Sequence, residues 1–148
     1  MINLSVSVEI DVAADELFAF ASDVENNPQW QSGVVSTEWT TPPPVGVGSR
    51  YSQQMEYRDL VTTYKITGLE AGRSLTIESE GGATNPTTVT RIVEPTGDAT
   101  SVITSKMAIR TRGVRRLIQP LLKRVIRSSV ESDYRRMKRL LEPEPESE

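Results

Sequence analysis

The side chains that could do chemistry in this chain are few in kind. Among its 148 residues there is no histidine and no cysteine. That removes thiol nucleophiles, disulfides, thiolate and imidazole metal sites, and the imidazole that most often moves protons near neutral pH. Acid–base work would fall to Asp, Glu, Lys, Arg, Tyr, Ser or Thr, so an enzyme is the less favoured class, and no metal or cofactor is expected. Two carboxylate pairs, Asp15/Glu16 and Glu78/Glu80, have the right types for a general acid and base. Asp15 and Glu16 open an amphipathic segment, where a helix dipole favours negative charge, and Glu78 and Glu80 fit a solvated strand face. Lys106 is the one weak catalytic candidate. If it points into the protein, desolvation favours its neutral form, and it could serve as base, electrophile or carboxylate anchor. The fragment GVGSR carries Gly46 and Gly48 at dinucleotide-loop spacing, but Tyr51 stands where the third glycine would fall and no helix pattern follows. A nucleotide loop is excluded.

The elements that must position these groups follow from periodicity. Leu4, Val6, Val8 and Ile10 alternate with polar residues over 3–10, the mark of a half-buried strand. Leu17, Phe18, Ala21 and Val24 then recur at helical spacing. Asn26-Asn27-Pro28 breaks that helix, and Pro28 suits the first turn of a second, very short one carrying Trp30. Strands are expected near 34–40, 48–57, 61–69, 74–80, 86–94 and 100–110, separated by turns rich in Gly, Pro, Asp and Asn. From Gly113 to Leu141 an apolar stripe at 3/4 spacing predicts a long amphipathic helix, which Pro120 should kink or split. The predicted class is α+β: a curved antiparallel sheet of about seven strands wrapped around a long C-terminal helix, with two short helices after the first strand. Residues 1–141 form one domain in this reading, and the acidic 142–148 a disordered tail. No apolar run approaches the ~20 residues of a membrane span, and the N-terminus lacks the basic and apolar regions of a signal peptide. The chain is therefore read as cytoplasmic.

The strand followed by AADELFAFASDVENNPQW resembles the START-like (SRPBCC) helix-grip superfamily, and within it the bacterial polyketide cyclase/dehydrase and lipid-transport group. The resemblance continues through VGVGSRY, ITGLEAGRSLTIES and GVRRLIQPLLKR…DYRRMKRLLE, covering about residues 3–142. It implies a helix-grip fold that binds or transports a small hydrophobic or lipid-like ligand in a cavity between sheet and C-terminal helix. It places Trp30 at one end of that cavity beneath the helix. The rival it implies is a polyketide cyclase or dehydratase, here independent of His and Cys.

The candidate ligand-binding residues are Trp30; Tyr51, Gln53, Met55 and Tyr57 on one strand face; Tyr64 and Ile66 on the next; and Ile77 beyond. Strand 100–110 has two registers. Ile103, Met107 and Ile109 inward give an apolar lining, the favoured choice; the opposite register would bury Lys106. Ile118, Leu121, Val125 and Tyr134 are the expected helical roof. Packing alone demands the same residue types at all these positions. Pro120 and the Gly81-Gly82 turn are candidate hinges for ligand access. The C-terminal region is basic: residues 106–141 hold twelve of the seventeen Lys and Arg, in a chain of net charge −3. Arg115, Arg116, Lys123, Arg124 and Arg127 could meet an anionic membrane, or RNA in a third class of ribosome-associated function. The bland alternative is a solvated face pairing with acidic residues. A homodimer is compatible with the sequence.

Overall fold

The computed structural model describes residues 1–80, 85–111 and 117–142. Seven strands form one antiparallel sheet: β1 (Ile2–Ile10), β2 (Val34–Trp39), β3 (Arg50–Met55), β4 (Val61–Glu70), β5 (Ser74–Ser79), β6 (Thr87–Gly97) and β7 (Thr100–Ile109). Their spatial order is β1-β7-β6-β5-β4-β3-β2, a meander from β2 to β7 that β1 extends at the far edge. Two short helices, α1 (Ala14–Ser22) and α2 (Asn27–Trp30), follow β1, and α3 (Gln119–Leu141) closes the described chain. The architecture is the α+β helix-grip arrangement: a curled sheet with a helix held against it.

One face of the sheet is buried because alternation puts it there. Ile2, Leu4, Val6 and Ile10 of β1, Val89 and Val93 of β6, and Ile103 and Ile109 of β7 all turn inward. Leu17 and Ala21 of α1, Trp30 of α2, and Tyr134 and Met137 of α3 meet part of that face. Val24, with Tyr51, Ile66, Leu75 and Ile77, fills the half nearer β3–β5.

β1 is an edge strand, and its free backbone groups need partners. α3 supplies them: Arg127 Nη1 donates to the Ser5 carbonyl at 2.9 Å, and Lys138 Nζ to that of Glu9 at 2.8 Å. Arg136 donates to the Trp30 carbonyl at 3.3 Å, while the Asp133 carboxylate accepts from the backbone and hydroxyl of Ser32. Arg127, Arg136 and Lys138 thus fasten the helix to backbone carbonyls. Lys138 also meets Glu142, the first residue of the acidic tail, at 2.6 Å. Pro120 falls in the first turn of α3, where its missing N–H costs nothing, so it starts the helix instead of kinking it. Gly81, Gly82, Arg115, Arg116 and residues 143–148 lie outside the described residues.

Candidate functional site

Trp30 is the residue around which the interior is built. Asn27-Pro28 starts the single turn of α2 and delivers the indole under α3 with 1% of its surface exposed. Its ring centroid lies 5.0 Å from that of Tyr134, in a tilted contact. Its indole N–H has no partner among the described residues.

The other side of this pair is a residue that sequence reasoning missed. Arg91 sits on β6 between Val89 and Val93, in the inward register, and is buried. Its Nε donates to the Tyr134 hydroxyl at 2.9 Å, and its Cζ lies 5.1 Å from the centroid of the Trp30 ring. Its Nη1 is buried and has no hydrogen-bond partner among the described residues. No ion pair reaches it among the described residues, where the pairs found are Arg50–Glu80, Arg73–Glu70 and Lys138–Glu142. A buried cation without a counterion costs on the order of several kcal/mol. Burial works against the charge, but the oxygens of Tyr134, Tyr51 and Tyr64 together more than offset it, and the guanidinium pKa is raised above its ordinary value. Directly opposite Arg91 in the β6–β7 ladder stands Ser105, whose buried Oγ also lacks a partner among the described residues.

A second polar group continues the interior toward β3. Gln53 is buried, and its side-chain carbonyl accepts from Asn27 Nδ2 at 2.7 Å. The Asn27 side-chain oxygen has no partner among the described residues. Tyr51 and Tyr64 stack with centroids 5.3 Å apart. Burial pushes the pKa of both hydroxyls upward, countered in part by Arg91 at Tyr51 and by the Thr62 hydrogen bond and then Arg91 at Tyr64, so both keep their protons near neutral pH.

The expected site residues divide accordingly. Trp30, Tyr51, Gln53, Ile66, Ile77 and Ile103 are buried together on the inner face, with Tyr64, Met55 and Met107 partly buried beside them. Four others lie elsewhere. Tyr57 is outside the strand, because β3 ends at Met55 and Arg58 and Asp59 take positive φ (53° and 51°) in the turn that follows; its ring is 65% exposed beneath Arg58. Ile118, Leu121 and Val125 do not form a roof: they are 49%, 61% and 59% exposed, and it is Leu122, Ile126 and Val130, one position further round, that pack toward the core. Strand β7 adopts the apolar register. Lys106 is exposed on the outer face, where with Asn3, Ser5, Thr88, Thr90 and Ala108 it lines a groove of about 430 Å³. A second depression, of about 670 Å³, lies between the start of β1 and the first turn of α3. Neither is lined by Trp30, Gln53 or Arg91. The carboxylate pairs are also outside the site: Asp15 and Glu16 occupy the first turn of α1, and Glu80 pairs with Arg50 at 2.7 Å on the surface.

A curled antiparallel sheet, an indole tucked under the C-terminal helix and an apolar inner face with a few converging polar groups define a START-like domain. The chain belongs to the polyketide cyclase / dehydrase and lipid transport family, whose sequence profile matches residues 1–142. Comparison with curated protein sequences finds no match. Among solved structures, a START superfamily protein from Mycobacterium smegmatis superposes with a TM-score of 0.79 at 14% identity, over 95% of this chain and 97% of that one. The di-domain ARO/CYC BexL of the BE-7585A biosynthetic pathway gives 0.78 at 18% identity over 94% of this chain, which spans 46% of BexL. TTHA0849 from Thermus thermophilus gives 0.72 at 15% identity, over 93% of this chain and 94% of that one. At such identities these likenesses establish the fold. Among the described residues no helix is long and apolar enough to cross a membrane, and no cluster of three metal-ligating side chains occurs.

Proposed function

We propose that this protein binds a small hydrophobic or lipid-like molecule between the inner face of its sheet and α3. One observation carries the reading. Arg91 Nη1, Trp30 Nε1, Asn27 Oδ1 and Ser105 Oγ are all buried and find no partner among the described residues, on an inner face otherwise made by Ile66, Ile77, Ile103 and Val89. Buried polar groups are nearly always hydrogen-bonded, and an apolar wall with a few convergent polar groups is the chemistry of a ligand site. The family's lipid-transport members support the same reading. A cyclase working through Lys106 loses its residue, since that side chain is outside. The test is native mass spectrometry of gently purified protein, with any released molecule identified after denaturation. An apolar molecule retained natively is the expected result. A protein that leaves the host empty, and then takes up nothing from a panel of long-chain lipids and polycyclic aromatics, refutes the reading.

A second reading concerns delivery. Leu117, Leu121 and Val125 recur every four residues as an exposed apolar stripe beside exposed Lys123 and Arg124. Apolar side chains flanked by cations suit an anionic lipid surface. Co-sedimentation with vesicles containing phosphatidylglycerol, lost in pure phosphatidylcholine and reduced by Leu121→Ser, is the expected outcome. Equal partition to both vesicles, or salt-sensitive binding to RNA with none to lipid, counts against it.

A further inference from the structure

We infer that the ligand is an acid: its carboxylate binds at Arg91, Ser105 and Trp30, while its apolar body lies along the inner wall. The inference rests on the hydrophobic-ligand reading above and names the chemistry that reading leaves open. Its basis is the kind of atom left unpartnered. Arg91 Nη1 and Trp30 Nε1 can only donate, and Ser105 Oγ can donate; the acceptor Asn27 Oδ1 belongs to the amide paired with Gln53 and is a separate group. A carboxylate is the complementary group, since when ionised it only accepts, through two oxygens. The charge points the same way. Arg91 has 7% of its surface exposed and no ion pair among the described residues, so an arriving anion would supply its missing counterion in a medium of low dielectric.

The geometry places these residues side by side on the inner face. Arg91 and Ser105 are direct cross-strand partners on β6 and β7, so their side chains leave the sheet on the same face with Cβ atoms about 5 Å apart. The Trp30 ring lies against the guanidinium, with Cζ 5.1 Å from its centroid, and the indole N–H is in the ring's own plane. Tyr134 holds Nε at 2.9 Å, which uses one edge of the guanidinium and leaves Nη1 free. That hydroxyl orients the fork and is a positioning group. An alcohol or ester of the same skeleton offers fewer acceptors and no charge, so the site discriminates against both. A mere structural role would have been served by any acceptor that satisfied Nη1. Nothing among the described residues does so.

The experiment compares two matched pairs of probes at pH 7.5: decanoate against decan-1-ol, and naphthalene-2-carboxylate against naphthalene-2-methanol. Binding is read by calorimetry and by tryptophan fluorescence. Wild type is expected to prefer the acid of a pair by on the order of ten- to hundredfold, the range of a hydrogen bond to a charged group. Arg91→Met should abolish the preference while keeping the affinity for the alcohol. Arg91→Lys, which keeps the charge but loses the fork, should retain only part of it, and this variant decides the matter if the methionine variant does not fold. Equal affinity for acid and alcohol in wild type overturns the inference while leaving hydrophobic binding intact. So does an acid preference that persists at all in a folded Arg91→Met or at its full wild-type size in Arg91→Lys. Binding of neither member of either pair overturns the hydrophobic-ligand reading and this inference with it.

Discussion

Arg91 and Tyr134 are the best place to test the energetics of the interior, because the two residues should fail additivity in a defined direction. Tyr134→Phe keeps the ring that packs on Trp30 and removes the oxygen that accepts from Arg91 Nε. With Nη1 already unpartnered, the buried guanidinium then has a second orphaned donor. A hydrogen bond to a charged group contributes about 1.5–3 kcal/mol. A loss of about 2 kcal/mol lowers the Tm of a domain of this size by roughly 4–8 °C. Arg91→Met works the other way. It removes the buried guanidinium itself, so neither Nε nor Nη1 remains to be satisfied. In that background Tyr134→Phe has no guanidinium to orphan, and its cost should fall to within about 0.5 kcal/mol of zero. Urea denaturation of the four proteins, with shared m-values, gives the coupling energy directly. If Tyr134→Phe costs the same in both backgrounds, the 2.9 Å contact contributes nothing and the account of a counterion-free Arg91 held by Tyr134 is wrong.

Three further predictions come from groups around this centre. Tyr51 has its hydroxyl pKa raised by burial; the unfolded chain therefore ionises first, and stability should fall once pH climbs past the ordinary tyrosine range near 10. Tyr51→Phe should blunt that alkaline loss, and an unchanged alkaline limb refutes the point. Glu142 is shifted the other way: the hydrogen bond from Lys138 holds its carboxyl below the usual range. Its contribution is present above the unfolded-state pKa and is lost as pH falls through the lower folded one, so Glu142→Gln should flatten the acid limb of a stability–pH profile. Lys106→Ala should change stability by no more than about 0.5 kcal/mol and leave decanoate affinity as it was. A tenfold loss of affinity would place that lysine inside after all.

How much of this could be read in the sequence depends on what each pattern reports. Alternation reports which residues share a face, so β1 and β7 were legible, and the choice that turned Ile103 inward and Lys106 outward followed from apolarity alone. The same logic hid Arg91. A search for apolar residues passes over a charged one, although Val89, Arg91 and Val93 obey the period of two as strictly as Leu4 and Val6. The signal was present as an exception inside a pattern. Tyr57 illustrates the opposite error, a period extended two residues past the strand's end; Arg58 and Asp59 carry no glycine to announce their positive φ.

The helix shows a third limit. The apolar stripe of α3 is wider than the contact it makes, and both Leu121/Val125 and Leu122/Ile126 fit 3/4 spacing. Which of the two rows meets the core depends on how α3 is rolled, and that is set by partners far away in sequence. Arg127, Arg136 and Lys138 reach the carbonyls of Ser5, Trp30 and Glu9. Those contacts turn Leu122 and Ile126 toward the sheet, bring Tyr134 over Arg91, and leave Leu121 and Val125 to solvent. Of the basic residues that looked like a surface for partners, Arg127 is thus one of three cations that fasten α3 with Leu122 and Ile126 toward the sheet. A substitution such as Arg136→Ala would therefore be felt at Trp30 and Tyr134 before it was felt at any membrane.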